Sequence, residues 1–549
     1  MKNLRHKLLL LAIPAALLFT AFTAADEYFE ISKNLEIFTN LYKELNIYYV
    51  DETEPGSLMK EGIDAMLKSL DPYTVYYPES KIEDYQFMTT GQYGGIGALI
   101  NTIDGKITIV EPYKGYAAQT AGLKAGDAVL SIDGKVLDGK NQDEISELLK
   151  GQPGTFVKIA VQRDGENAPI VFDVERQEVK IPDVPYYGML DEETGYVQLR
   201  SFTKTASMEV RKAIVELRDQ KGMKQLIFDL RGNGGGLLRE AVNIVNFFVP
   251  KGEEIVSTRG KIEEWNKKHV ALDEPLAANL PLIVLVDQGS ASASEIVSGA
   301  LQDLDRAVVV GKTTFGKGLV QQTKDLSYNT KLKLTVAKYY IPSGRCIQKL
   351  DYSHRDAIKG VDAVPDSLIK PFKTANGRTV YDGRGITPDV DVEQEELSNI
   401  LNGLMSNNII FKYATNYAQK HSEIPEPEKF DLGNQYDDFV QYAMSKEFSY
   451  NTGTEAILKE LKQMAEAERY YQGAEEAFAN LEASISPERS RDLVKFREQI
   501  EYTLEEEIIS RYYYQEGAIR YALANDPFVA EAIDIFKNRY SRILAGTDK

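Results

Sequence analysis

Four serines fall within nine residues of the stretch Asp287-Gln-Gly-Ser-Ala-Ser-Ala-Ser-Glu-Ile-Val-Ser-Gly-Ala-Leu301: Ser290, Ser292, Ser294 and Ser298, beside the single glutamate Glu295. The apolar run Leu280-Pro-Leu-Ile-Val-Leu-Val286 leads into it as a buried strand, and Ile296, Val297 and Leu301 continue with helical spacing. A strand-to-helix junction suits a nucleophile, because the free N–H groups of the first helical turn can hold a developing oxyanion. The same residues also read as Ser292-Ala-Ser-Glu295, an S-x-x-E capping box that needs no chemistry.

An activated serine needs a base. The four histidines, His6, His269, His354 and His421, lie in the apolar leader or in polar, loop-like or C-terminal surroundings, and none has neighbours that would support it as a base. Lysine remains, and it accepts a proton only where desolvation favours its neutral form. Lys317 has small and apolar neighbours in Gly311-Lys-Thr-Thr-Phe-Gly-Lys-Gly-Leu-Val-Gln-Gln322, where Phe315, Leu319 and Val320 could exclude water. A phosphate-loop reading of this stretch fails, because Arg306 stands where its first glycine is required. A third element, Asp229-Leu-Arg-Gly-Asn-Gly-Gly-Gly236, ends a strand and opens a helix, so its amides could form an anion-binding nest. A simple phosphate or nucleotide turn is the plainer reading of those glycines.

The elements around these motifs set the architecture. Between 180 and 395 strands alternate with helices: 195–199, a helix near 206–221, 225–230, a helix near 237–248, 281–286, a helix near 292–302, and 307–310. That alternation predicts an α/β layered domain with the three motifs at successive strand ends. Before it, from Thr89, glycines cluster and strand-like runs at 106–110, 128–132, 157–161 and 170–174 are separated by Asp-Gly pairs, predicting a small β-rich domain. At 27–88 the spacing of Ile31, Leu35, Phe38, Leu41 and Leu45 predicts one helix, and Leu58, Ile63, Met66 and Leu67 a second that stops at Leu70-Asp-Pro72. Beyond Glu393 the chain reads as helices rich in Tyr, Glu and Ala.

The first residues read as a secretory signal: Lys2, Arg5 and Lys7, apolar Leu8–Phe19, then the small-residue exit Ala21–Ala25. A retained anchor is the other reading, although the apolar stretch is shorter than the roughly 17 residues a span needs. Export to the periplasm or cell envelope follows, with no integral span once the signal is removed. One cysteine, Cys346, excludes an internal disulfide and a cysteine metal site. A formal charge of −19 argues against nucleic acid and anionic lipid as partners.

With these motifs assembled, the sequence resembles the C-terminal processing peptidases, or tail-specific proteases. The likeness lies in DLRGNGGG, SASASEIVSGAL, GKTTFGKGLVQ, Tyr340-Ile-Pro-Ser-Gly-Arg-Cys-Ile-Gln348 and Gly385-Ile-Thr-Pro-Asp389, and spans roughly residues 30–395. The resemblance implies an α/β multi-domain chain: a ClpP/crotonase-like protease domain of the S41 type (179–395), preceded by a PDZ domain (88–178), with a signal (1–25) and helical regions at 26–87 and 396–549. It implies a serine–lysine dyad with Ser292 as nucleophile, Lys317 as base and Gln321 orienting the amine. The oxyanion hole would be the amide of Ala293 with that of Gly235 or Gly236, and Glu295, Asp303 and Thr314 would support the site. In the PDZ domain, Gly95-Ile96-Gly97-Ala98 matches the loop that grips a peptide's terminal carboxylate while the peptide adds as an edge strand. Arg163 falls where some members link PDZ occupancy to the active site; a solvated turn residue is the plain alternative.

The implied activity is an exported serine endopeptidase that reads the free C-terminus of protein or peptide substrates and cuts through an acyl-enzyme, with no metal or cofactor. The sequence departs from the family at Cys346, where a small residue is usual, and in the polar excursion 351–382. The C-terminal stretch falls outside the resemblance; a face such as Ile457, Leu458, Leu461 and Met464 could serve a homo-oligomer or pack on its own core. The rival readings are a PDZ scaffold with a degenerate or partner-activated protease domain, and an apolar-ligand carrier, which would not need Lys317.

Overall fold

Three strands of the α/β region, Gln225–Asp229, Leu282–Val286 and Val308–Gly311, are nearly continuous apolar runs, as parallel strands covered on both faces require. In the computed structural model, which describes residues 28–137, 139–352, 361–393 and 395–548, they lie side by side in one six-stranded sheet. The chain divides into two compact units, one holding residues up to Glu79 with Gln321–Thr335, the other Ser80–Val320 with Val336 to the C-terminus.

In the second unit, the PDZ-like part contains β1 (Ala98–Ile103), β2 (Lys106–Pro112), β3 (Ala128–Ile132), β4 (Phe156–Gln162) and β5 (Ile170–Glu175), hydrogen-bonded in the order β1-β2-β3-β4-β5. β1 is therefore an edge strand. Helix α1 (Gln142–Leu149) starts at a reciprocal capping box between Asn141 and Glu144. Asp104-Gly105 and Asp133-Gly134 both take positive φ, which accounts for the Asp-Gly pairs at these hairpin turns.

The α/β part follows as β6 (Tyr186–Met189), β7 (Thr194–Gln198), α2 (Ala206–Lys221), β8 (Gln225–Asp229), α3 (Leu238–Asn246), β9 (Leu282–Val286), α4 (Ala293–Asp303), β10 (Val308–Gly311) and β11 (Val390–Asp391). The sheet order is β6-β7-β8-β9-β10-β11, antiparallel at β6 and parallel thereafter. The side-chain period of two divides its core. Val197, Leu226, Phe228, Leu282, Val284 and Val309 face α2, α3 and α4. Tyr196, Ile227, Ile283, Leu285, Val308 and Val310 face the last helices of the chain.

Those last helices are α6 (Arg497–Ala524), α7 (Pro527–Asn538) and α8 (Tyr540–Leu544); an earlier one, α5 (Ile409–Lys420), packs in a separate helical core with α6. The C-terminal region is helical as the composition indicates, but its end is also the back layer of the α/β sheet, through Phe528, Val529, Ala532, Ile535 and Ile543. Of the face at 457–464 only Leu458 is buried; Ile457, Leu461 and Met464 are exposed. Within the expected polar excursion, Pro371–Lys373 pairs with Thr379–Tyr381.

Among the described residues, the first unit holds two α-helices, 28–48 and Pro55–Lys68, the second ending two residues before Leu70. Val75–Tyr77 pairs antiparallel with Lys331–Lys333. The Ile31, Leu35, Phe38, Leu41 and Leu45 face is exposed along its whole length. Residues 80–90 belong to the second unit, so the helical stretch expected at 26–87 does not stay together. The signal segment 1–25, with His6, and His354 lie outside the described residues.

Candidate active site

The motifs converge at the carboxyl ends of β8, β9 and β10, where ligands of open α/β sheets commonly bind. Three of the four serines are spent on structure. Ser290 Oγ donates to the Leu230 carbonyl (2.8 Å), Ser294 Oγ to the Asn233 carbonyl (2.8 Å), and Ser298 Oγ to the Ser294 carbonyl (2.9 Å); all three residues are 0 % exposed. Ser292 alone of the four is partly open to solvent. Its backbone is forced to φ 55°, ψ −109°, a conformation that side-chain-bearing residues avoid, between β9 and the first turn of α4. Strain at a strand-to-helix elbow is how a fold pushes a serine hydroxyl out over a sheet.

Glu295 ties this elbow to the lysine loop. Its Oε2 accepts from the Ser292 amide (2.8 Å) and the Lys317 amide (2.9 Å). Its Oε1 accepts from the Thr314 hydroxyl (2.6 Å) and the Gly316 amide (2.7 Å). The bond to Ser292 is half of the capping box seen in the sequence; the other three make Glu295 a clamp. Tyr339, buried on the last part of the strand Lys331–Tyr340, completes the clamp from the carbonyl side: its hydroxyl donates to the Lys317 carbonyl (2.7 Å) and reaches that of Ser292 (3.1 Å). Ser292 and Lys317 are thus held together at both their N–H and C=O groups. A Cβ on Gly316 would lie 2.4 Å from that of Lys349, so only glycine lets the lysine loop approach so closely. Lys317 is half-buried beside buried Leu319, whereas Phe315, expected to exclude water, is 45 % exposed.

The glycine turn closes the third side. A Cβ on Gly235 would sit 2.6 Å from the Ala291 carbonyl and 2.9 Å from Ser292 Cβ, so the turn touches the serine elbow directly. Buried Asn233 binds the two together: its carbonyl accepts from the Ala291 amide (3.0 Å) as well as from Ser294, and its side chain accepts from the Gly235 amide (2.9 Å). Asp287 joins in, accepting from the Gly232 amide at 2.8 Å. Asn233, Asp287 and Tyr339 were not singled out from the sequence; Asn233 sat in plain view inside DLRGNGGG, but its partners are distant in sequence.

The remaining expected residues are more scattered. Asp303 stands at the far end of α4, where it holds buried Arg345 (2.8 Å) and the Ser343 amide (3.0 Å), bracing the loop after Tyr340. Gln321 belongs to the first unit, where its amide donates to Thr335 Oγ1 (3.2 Å). In the PDZ-like part, the Ile96 and Gly97 carbonyls accept from the Ala118 and Tyr113 amides, while among the described residues nothing accepts from the amides of Ile96 and Gly97. Arg163 spends its fork there too, bidentate on buried Asp127 (2.7 Å each) with a bond to the Gly122 carbonyl (2.9 Å). Neither described histidine of interest is at the elbow: His269 is on the strand Lys267–Val270, with burial pushing its imidazole down, and His421 stacks on Tyr417.

Residues 193–354 match Peptidase family S41, 94–174 a PDZ domain, and 400–536 a family described as "Probable PDZ-protease, C-terminal helical domain". A carboxy-terminal-processing protease of Bartonella bacilliformis is 35% identical over 341 residues, covering 62% of this chain and 75% of that one. The chain belongs to the carboxy-terminal processing peptidases. Carboxy-terminal processing protease CtpA of Bacillus subtilis is 35% identical over 309 residues, 56% of this chain and 65% of the relative. Among solved structures, the photosystem II D1 C-terminal processing protease is 26% identical, covering 66% of this chain and 93% of that one, with a TM-score of 0.35. The protein is thus a serine-type peptidase with a PDZ domain. The helical stretch after 396, taken from the sequence to lie outside the family likeness, is itself matched, which corrects that expectation.

The Glu295 clamp yields a test for this peptidase. Burial pushes its carboxyl up from an ordinary 4.5 to about 7, against the pull of four donors that favour the ionised form. Its contribution to stability is therefore full below the unfolded value and lost as pH rises through about 7. Glu295→Gln removes that dependence and turns an amide NH2 toward two donors. Thermal melts should show the Tm of the unmutated chain falling relative to Glu295→Gln between about pH 5 and pH 8, and turnover of the variant should drop about ten- to a hundredfold. Wild-type turnover with a constant Tm difference would remove the clamp.

Proposed function

We propose that this peptidase is exported and cuts proteins near a free C-terminus, with Ser292 as nucleophile and Lys317 as base. The observation that carries this reading is the shared clamp: one carboxylate and one hydroxyl hold the Ser292 and Lys317 backbones together. Neutral Lys317 Nζ takes the Ser292 proton as Oγ attacks the scissile carbonyl. The tetrahedral oxyanion is met by the Ala293 amide, at the first turn of α4, and by an amide of the glycine turn. Gly235 already gives its amide to Asn233, which favours Gly236. The intermediate collapses to an acyl-enzyme as the protonated lysine gives its proton to the leaving amine; Lys317 then takes a proton from water, whose hydroxide releases the acid and frees Ser292. Glu295 and Thr314 keep the two loops in register, and Asp303 braces the loop after Tyr340.

The PDZ domain would present the substrate. Its uncommitted Ile96 and Gly97 amides, with that of Ala98, suit a terminal carboxylate, and the edge strand β1 suits β-addition of a tail. Arg163, tied to Asp127, would act by holding the PDZ fold. A homo-oligomer through the C-terminal helices would use the exposed face of Ile457, Leu461 and Met464. Among the described residues no helix is long and apolar enough to cross a membrane.

A loosely folded reporter protein tests the tail reading when supplied with a free or an amidated C-terminus. The free form should be cut with kcat/KM at least about tenfold higher, since the amide loses a charge-assisted bond to backbone N–H groups. Equal rates would overturn tail reading while leaving the dyad standing.

A further inference from the structure

The arginine of DLRGNGGG is gripped from two directions. Arg231 Nε lies 3.0 Å from both oxygens of Asp229, and its Nη2 2.6 Å from Asp229 Oδ2. The same Nη2 also donates, at 2.6 Å, to Asp526 Oδ2. Asp229 is 1 % exposed and additionally accepts from the Tyr196 hydroxyl (2.6 Å) and the Arg231 amide (2.8 Å). Asp526 comes from a different part of the chain, the junction between α6 and α7.

The two oxygens of Asp526 have separate partners. Oδ1 caps α7, accepting from the Phe528 amide (2.8 Å) and the Val529 amide (3.3 Å). Oδ2 holds the guanidinium, which also lies over the Phe528 ring, 4.9 Å from its centroid. Because Phe528, Val529, Ala532 and Ile535 pack on the sheet, this carboxylate is carried by a fixed element. Beyond Arg231 the turn continues without slack: the Gly232 amide is on Asp287, Asn233 is on the serine elbow, and Gly235 touches Ser292.

We propose that Asp526 is a positioning residue for the oxyanion turn: with Asp229 it fixes Arg231, so the C-terminal helical region sets the geometry of the site it backs. This rests on the reading of Ser292 and the glycine turn given above. Asp526 touches no reacting atom. It acts through Arg231, and the turn is correctly set only with α7 docked behind the sheet.

Full-length Asp526→Asn separates the two oxygens, because asparagine caps a helix as well as aspartate but offers Arg231 no charge. On the free-tail reporter, kcat should fall about ten- to a hundredfold with KM within about twofold and Tm within a few degrees. A peptide aldehyde that adds to Ser292 Oγ as a hemiacetal should lose affinity in parallel with kcat/KM, since it too needs the oxyanion turn. If Asp526 were merely a structural cap, which asparagine preserves, Asp526→Asn would leave both readouts alone. Asp526→Ser, which caps with a hydroxyl too short to reach Arg231, should show the same kcat loss. Unchanged kcat in either folded variant, or a loss confined to KM, overturns the inference. Ser292→Ala measured alongside keeps the two readings distinct. Cutting by Ser292→Ala overturns the nucleophile and this inference with it; an inactive Ser292→Ala beside fully active Asp526→Asn overturns only this inference.

Discussion

Lys317→Met should leave the chain folded and lower kcat/KM on the free-tail reporter by about three orders of magnitude or more, the loss expected when a general base is removed. Methionine keeps an unbranched apolar stem of similar length, and the Glu295 bond to the residue 317 amide is retained. Only the amine is lost. Lys317→Arg should fall as far, because a guanidinium cannot give up its proton at any ordinary pH and so cannot accept one. Kinetics on both variants, with melts to show that they are folded, check this; more than about a tenth of wild-type kcat/KM in Lys317→Met would mean that the base lies elsewhere.

Ser292→Ala should be at least as severe, about three orders of magnitude or more, and the double variant with Lys317→Met no worse than either alone, because nucleophile and base act as one unit. The other serines give the contrast. Ser298 Oγ only returns to the carbonyl one helical turn back, so Ser298→Ala should keep its turnover. Ser290 and Ser294 bind the elbow to the strand end and glycine turn, and their loss should appear first in Tm. Of these four serines, only Ser292 combines an accessible hydroxyl with a strained backbone, worth about 1–3 kcal/mol, that surrounding bonds must hold in place.

Much of this is legible in the sequence. The apolar runs at 225–230, 281–286 and 307–310 place the glycine, serine and lysine motifs at the ends of successive strands, and the structure has them there. The reason is local: buried parallel strands, Asp-Gly turns and helix starts each carry their own residue signature. What escaped was tertiary. Tyr339 lies in an alternating strand and gives no sign that its hydroxyl will serve Ser292 and Lys317. The spacing of Phe528, Val529, Ala532 and Ile535 announces a helix with a buried face, but not that the face covers the back of the peptidase sheet. The reverse error occurs at 28–48, where the regular spacing of Ile31, Leu35 and Phe38 gives the helix but the face stays exposed. Phe315, placed by its apolar character near the lysine, turns outward.

The measurement that bears most directly on the central claim is cleavage of the free-tail reporter by the unmutated chain and by Ser292→Ala at equal concentration, with intact-mass analysis of the products. The expected result is a cut near the reporter's C-terminus by the unmutated chain alone. The same cut by Ser292→Ala at a comparable rate would contradict it, and would leave Ser292 as a strained helix cap.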